Sequence, residues 1–471
     1  MNVLFVTGES SPFITTGGLG EVAGSLPFAL NGKDTSVRVV MPLYGDIKDE
    51  YKRKMKFTES FNVPLGWRNQ YCGIFHYKYN GVTYYFLDNE YYFKRNGIYG
   101  FYDDAERFAF FCRAVLEMLP CISFKVDLFH VNDWQASLVP TFLNCFYKEQ
   151  REYENIRSLL TIHNIAYQGE FDSYVAKDIL GIGDGYLNTV EYGGKVNFLK
   201  SAIITCTRVN TVSPTYAEEL SDPWFAHRLD PLLRENKDKL SGILNGIDTV
   251  SYDPETDSSI PFNYSIDDYT NKALCKKELQ KELDLTDGDM PVIGMVSRLV
   301  AHKGLDLVSH ILEEILTAGM KVVILGSGEL LYEETFKSFE QRYPHNFVLR
   351  LGFIPDLARR IYAGSDMFLM PSKSEPCGLA QMIALRYGSI PIVRETGGLK
   401  DTVTDCGDGK GNGFTFKSYN AHDLLDACMR AKDMYENREL WQNLITRAMR
   451  CDFSWNRAAK DYRSLYMECL K

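Results

Sequence analysis

Short, nearly unbroken apolar runs recur along this chain, each followed by a helical pattern. In the first half they are NVLFV (2–6), SVRVVMP (36–42), VDLFHVND (126–133), LLTIHN (159–164) and VNTVS (209–213). In the second half they are PVIGMVSR (291–298), KVVILGSG (321–328), NFVLRLGF (346–353), MFLMPS (367–372) and SIPIVR (389–394). A strand that is apolar on both faces must be covered on both faces, which is the condition of a parallel sheet wrapped by helices. Two such series predict two doubly wound α/β domains, and 471 residues exceed what one core usually organises.

The division falls in GILNGIDTVSYDPETDSSIPFNYS, around residues 246–264, where Asn-Gly, Asp-Pro and serine punctuate the chain. The expected domains are 1–250 and 251–453, with a terminal segment 454–471. Residues 45–105 are rich in tyrosine and include GVTYYFLDN, expected as an antiparallel elaboration of the first domain.

Charge excludes one class of function. Lysine and arginine number 52 against 62 aspartates and glutamates, a net charge of −10. A general nucleic-acid binder needs a basic face to displace counterions, so none is expected here. No apolar run reaches membrane-spanning length and the N-terminus lacks the layout of a signal peptide, so a soluble, cytoplasmic protein is expected. The 11 cysteines form no CxxC pair, which fits buried thiols better than a disulfide framework. The eight histidines show no HExxH or similar spacing, and no protein-bound metal is expected.

In open α/β sheets ligands bind beyond the carboxyl ends of strands, so the motifs that follow strands carry the functional reading. TTGGLGEV (15–22) follows the first strand and resembles an anion-binding turn, yet it holds no lysine or arginine; a plain tight turn is the alternative. SRLVAHKGLDL (297–307) brings Arg298 and Lys303 across a strand-to-helix turn, a fork and a point charge that suit a diphosphate; the alternative is a solvated loop. In SKSEPCGLAQMIALRYG (372–388), Glu375 can bind sugar hydroxyls and the amides around Gly378, Leu379 and Ala380 can bind phosphate. The alternative there is a helix capped by Ser374 with Glu375 in its first turn. His163, Asp133 and Trp134 also stand at strand ends, and RETGGLKDTV (394–403) supplies a further glycine turn.

Taken in order, TGGLGEVAGSLP, DDAERFAFF, HVNDWQASLVP, TIHNIAYQGEF, NTVSPTYAEEL, GILNGID, VSRLVAHKGLDL, EPCGLAQMIALRYG, TGGLKDTV and FSWNRAAKDY resemble the bacterial glycogen synthase and plant starch synthase family over nearly the whole chain. The resemblance implies a GT-B fold: two Rossmann-like domains facing across a deep interdomain cleft, with a last helix that crosses back to the first. It implies retaining transfer of glucose from a nucleotide diphosphate glucose, usually ADP-glucose, to the non-reducing end of an α-1,4-glucan. The partners implied are a nucleotide sugar (ADP-glucose or UDP-glucose) and an α-glucan, with neither nucleic acid nor membrane. Carried onto this chain, the catalytic set is Arg298, Lys303, Glu375 and His163. The donor-binding set is Thr15, Gly17, Gly18, Phe353, Cys377, Gly378, Leu379, Thr396 and Gly397, with Phe353 stacking on the base. Asn132, Asp133, Trp134 and Asn164 fall on the acceptor side. No cofactor or metal is implied, because the protein's own cations offset the diphosphate.

The chain departs from the family pattern at several points. The usual Lys-x-Gly-Gly-Leu has Thr15 in place of lysine, Glu21 replaces an aspartate, Ala380 a threonine or serine, and His302 a glutamine. PWFAHRLDPLLRE (223–235) lacks the usual glycines. Loss of one partly solvated cation costs about 1–3 kcal/mol of charge-assisted hydrogen bonding. Two alternatives therefore stand beside a working glucan synthase: a weakly active or inactive glucan-binding paralogue, and a transferase using UDP-glucose or a small-sugar acceptor.

Overall fold

A computed structural model describes residues 1–471. The chain forms two compact units. The first comprises Met1–Val212, Ala217–Gly246 and Trp455–Lys471; the second comprises Ser213–Tyr216 and Ile247–Ser454.

The first unit is built on a nine-stranded sheet. Its strands are β1 (Asn2–Val6), β2 (Ser36–Pro42), β3 (Lys56–Leu65), β4 (Arg68–Tyr79), β5 (Val82–Asp88), β6 (Leu128–Asn132) and β7 (Arg157–Ile162), followed after the three short strands below by β11 (Arg208–Thr211) and β12 (Leu240–Gly242). The order is β12-β11-β7-β6-β1-β2-β5-β4-β3. All neighbours from β12 to β5 are parallel, whereas β4 runs antiparallel to both β3 and β5. The tyrosine-rich region is therefore a hairpin added to the edge of a parallel sheet. Its inner face closes over Phe13, whose ring meets those of Tyr51, Tyr79, Tyr84 and Phe86 edge-on at 4.9–5.7 Å. A small antiparallel sheet joins β8 (Glu170–Phe171), β9 (Glu191–Tyr192) and β10 (Lys195–Asn197), with β10 in the middle.

The second unit carries six parallel strands, β13 (Val292–Val296), β14 (Lys321–Gly326), β15 (Phe347–Leu351), β16 (Met367–Met370), β17 (Ile390–Arg394) and β18 (Phe414–Phe416). Their order is β15-β14-β13-β16-β17-β18, the strand order of a doubly wound nucleotide-binding sheet. The runs that read as unbroken apolar segments are buried along nearly their whole length, β14 and β16 completely. Amphipathic helices such as Leu305–Thr317, which buries Leu305, Val308, Ile311, Leu312 and Ile315, cover the faces. No helix is long and apolar enough to cross a membrane.

The C-terminal helix, Trp455–Leu470, belongs to the first unit. It is held there by more than apolar contact. The Tyr466 hydroxyl lies 2.7 Å from His130 Nδ1, and His130 Nε2 lies 2.7 Å from Thr161 Oγ1, so a neutral imidazole links the helix to β6 and β7. Burial holds the His130 pKa well below the usual range and keeps the ring uncharged. Arg463 donates to the carbonyls of Ala29 (2.6 Å) and Leu30 (3.2 Å) at the end of another helix. Tyr466→Phe leaves one buried ring nitrogen of His130 without a partner. It is expected to lower unfolding free energy by about 1–2 kcal/mol in denaturant titrations with little change in their slope.

Candidate functional site

In the second unit, β13 lies between β14 and β16, so successive connections leave it on opposite sides and a crevice opens beyond the strand ends. A cavity of about 180 Å³ occupies this point. Val296 and Met370, from the ends of β13 and β16, form its floor, and Arg298, Lys303, Glu375 and the Gly378–Ala380 turn line its walls. The two cations and the carboxylate named from sequence thus share one cavity. A second cavity, of about 210 Å³, lies in the first unit beside Arg157 and Thr207, at the amino ends of strands, away from where such sheets bind ligands.

Glu375 is buried, and its Oε2 accepts from Lys303 Nζ at 2.6 Å and from Ser372 Oγ at 2.9 Å. Arg298 is exposed and has no carboxylate within ion-pair distance. His302 adds no charge here, since burial and the neighbouring Lys303 lower its pKa. After Met370 the chain stays irregular until the helix Ala380–Arg386. Ser374 therefore caps no helix at Glu375, and the serine that touches the carboxylate is Ser372.

The backbone of this loop is clamped from three directions. Gln381 Nε2 donates to the carbonyls of Cys377 (3.0 Å) and Gly378 (2.9 Å). Because each peptide is planar and trans, the N–H groups that follow, on Gly378 and Leu379, point away from Gln381. From below, Gly398 N donates to the Glu375 carbonyl at 3.1 Å, and Gly397, at φ +43°, passes so close that a Cβ would overlap that carbonyl. From a third side, Ser213 Oγ donates to the Pro376 carbonyl at 2.6 Å, while Thr215 N and Oγ1 bind Asp401 at 2.9 and 2.7 Å. Thr396 and Gly397, expected among donor contacts, are buried beneath the loop and support it; Cys377 is buried as well. Phe353, after β15, is 93% exposed and does not line the cavity.

The first unit repeats the topology, with β1 between β2 and β6. The glycine turn follows β1, but it is not an empty anion cradle. Buried Glu9 occupies it: Oε2 accepts from Thr16 N (2.8 Å) and Thr16 Oγ1 (2.6 Å), and Oε1 from Gly20 N (3.1 Å). The expected phosphate-type amides are thus partly used by the protein's own carboxylate. Thr15 is exposed, its hydroxyl donating to the Gly17 carbonyl at 3.2 Å. Gly17 and Gly18 are exposed, and a Cβ on either meets nothing within 4 Å.

Past β6 and β7, Asn132, Asp133 and His163 form one cluster. Asp133 Oδ1 accepts from His163 N at 2.7 Å, and Asn132 Oδ1 lies 2.9 Å from His163 Nε2. Asn132 Nδ2 donates to the carbonyls of Val6 (3.1 Å) and His130 (3.3 Å), which leaves its oxygen as the acceptor for the ring. The proton of His163 therefore sits on Nε2, and Nδ1 carries a lone pair. Burial lowers the His163 pKa to about 3 and raises that of Asp133 to about 7. Asp133 takes φ +53°, a strained value that aspartate tolerates better than most residues. Asn164 turns its Oδ1 onto Ala166 N at 3.0 Å. Trp134, expected on the acceptor side, is only 9% exposed and packs among Tyr99, Phe108, Phe171 and Phe198 as a core residue. Glu9, Ser372, Gln381, Ser213 and Asp401 escaped sequence reasoning. The one signal for Glu9 was an acid just past β1, ahead of glycine amides that have no cation.

Comparison with known proteins agrees with this geometry. Residues 2–235 match the starch synthase catalytic domain family, and residues 276–448 match the glycosyl transferases group 1 family. A glycogen synthase of Desulforamulus reducens is 49% identical over 100% of this chain and 99% of its own length. One from Bacillus anthracis is 46% identical over all of both chains. The catalytic domain of starch synthase IV from Arabidopsis thaliana, solved bound to ADP and acarbose, superposes with a TM-score of 0.90 at 33% identity, covering 99% of each chain. With full-length relatives at this identity and two doubly wound units of this topology, the chain belongs to the glycogen synthase and starch synthase family of GT-B glucosyltransferases.

Proposed function

We propose that this protein transfers glucose from ADP-glucose to the non-reducing end of an α-1,4-glucan with retention of anomeric configuration. The observation that carries this reading is the convergence of Arg298, Lys303 and Glu375 on one cavity at the switch point of the second unit. As the bond between the anomeric carbon and the diphosphate oxygen breaks, negative charge collects on that oxygen. Lys303, held beforehand by Glu375, and the neighbouring Arg298 stabilise it. Glu375, held by Lys303 and Ser372, keeps a second oxygen for the hydroxyls of the donor glucose. The amides of Gly378 and Leu379 face the phosphate, and Phe353 gives the base an exposed ring on which to stack. Thr15, Gly17 and Gly18 offer backbone and a hydroxyl rather than charge.

His163 acts as a neutral imidazole. A charged ring would oppose the positive character that develops at the anomeric carbon, whereas the carbonyl and the Nδ1 lone pair favour it. Asn132 and Asp133 serve this histidine directly, fixing its tautomer and its backbone. The acceptor hydroxyl attacks on the face from which the diphosphate leaves, and its proton passes to a phosphate oxygen. No protein carboxylate need become a nucleophile. The choice of ADP-glucose over UDP-glucose is supported by the starch synthase IV relative, which is solved with ADP.

Incorporation of labelled glucose into glycogen, with ADP-glucose and UDP-glucose compared, tests the assignment. Transfer is expected from ADP-glucose with the higher kcat/KM, and no transfer from any nucleotide sugar at millimolar donor overturns it. Arg298→Ala and Lys303→Ala are each expected to lower kcat by about 10²–10³-fold, as for removal of a charge-stabilising donor. Asp133 gives a pH signature. Its raised pKa means that the folded protein holds this proton more tightly than the unfolded chain between about pH 4 and 7. Its contribution to stability therefore falls as pH rises through that window. Asp133→Asn keeps an acceptor oxygen for the His163 amide but cannot ionise. Its unfolding midpoint relative to wild type is expected to rise from pH 5 to pH 8, checked by thermal melts across that range.

A further inference from the structure

We infer that Glu9 is a positioning residue for glucosyl transfer, a buried internal anion that staples the glycine loop at both ends and leaves Gly18 to meet the donor. This rests on the function proposed above and adds to it a residue that touches neither substrate. The two oxygens of Glu9 divide the loop between them: Oε2 takes the amide and hydroxyl of Thr16, and Oε1 takes the amide of Gly20 after the two glycines. The Gly17 amide also turns toward the carboxylate, so that of the Gly-Gly pair it is Gly18 whose amide stays outside the staple. Glu9 is itself fixed, since Thr7 Oγ1 donates to its carbonyl at 2.7 Å and lies 3.4 Å from its amide. Gly20 is pinned further, its carbonyl accepting from Ser11 N at 3.0 Å. Between the two fixed points only Gly17 and Gly18 stand in open space.

Burial of a carboxylate is unfavourable, and it raises the pKa of Glu9 despite the hydrogen bonds that oppose the shift. A purely structural purpose would have to recover that cost through packing. The segment Thr15–Gly18 is exposed and covers no core, so the carboxylate gains nothing there except the shape of the loop. That shape also has a chemical consequence. Amides spent on an internal anion cannot bind a diphosphate, so the loop contributes position and leaves neutralisation of charge to Arg298 and Lys303. The threonine at position 15 fits this division of labour.

The test compares wild type, Glu9→Gln and Glu9→Ala as full-length protein. It measures kcat and KM with ADP-glucose and glycogen, ADP affinity by calorimetry, and hydrogen exchange of the 15–20 segment by mass spectrometry. Glutamine keeps one acceptor and the side-chain length, so kcat is expected to fall about tenfold; alanine loses both links, and kcat falls about a hundredfold. ADP affinity and the KM for glycogen stay within about twofold, and exchange at 15–20 accelerates in the order wild type, Gln, Ala. Unchanged kcat per folded molecule in both variants overturns the inference, as does unchanged exchange in Glu9→Ala. If alanine prevents folding, glutamine decides the matter by the same readouts. If wild type transfers no glucose, the proposed function fails, and the exchange comparison still decides whether Glu9 sets the loop.

Discussion

A half-buried ammonium–carboxylate pair, Lys303 with Glu375, is the interaction on which the cavity of the second unit depends. Glu375 is the more buried of the two, and an unpaired carboxylate there is strongly unfavourable, so Lys303 and Ser372 are what hold it. Together they place a cation and a hydrogen-bonding carboxylate 2.6 Å apart, at the one point where the six-stranded sheet parts its connections. The pair requires that β13 and β16 be neighbours although far apart in sequence, since Lys303 follows one and Glu375 the other. Fold and chemistry are thus joined through strand order. The clamps from Gln381, Gly398 and Ser213 then hold the Glu375 loop so that the carboxylate stays aligned with its partner.

The first unit uses the same topology with the opposite emphasis. The loops that follow β1, β6 and β7 hold no lysine or arginine, and the chain supplies its own carboxyls to backbone amides: Glu9 to the glycine loop and Asp133 to the His163 amide. Both carboxyls are buried, and burial raises the pKa of each. Carboxylates that satisfy amides fix the backbone of a loop without adding positive charge.

The parts of this design that were legible in the sequence are those carried by single side chains in expected places. Unbroken apolar runs announced parallel strands, because only helices on both faces can bury them. Arg298, Lys303 and Glu375 were legible because a charge just beyond a buried strand has one direction to point, toward the ligand crevice. Trp134 stood at a strand end too, but a large ring there can turn inward, and four aromatic neighbours distant in sequence decided that it does. Glu9 and Ser372 were hidden for a different reason. Their partners are backbone amides or a carboxylate fixed by tertiary structure, and no periodicity or spacing encodes such a bond. Ser374 illustrates the converse, a residue with the right local pattern for a cap in a loop that the fold keeps irregular up to Ala380.

The central claim is that Arg298 and Lys303 supply the charge for the diphosphate and that the glycine loop does not. Comparing ADP with AMP isolates the terminal phosphate, since the base and ribose are the same in both. Calorimetric titration of wild type is expected to give ADP an affinity at least about tenfold above that of AMP, the equivalent of one charge-assisted contact. In an Arg298→Ala/Lys303→Met variant that gap should shrink toward unity, while AMP affinity holds. A gap that survives the loss of both cations contradicts the account.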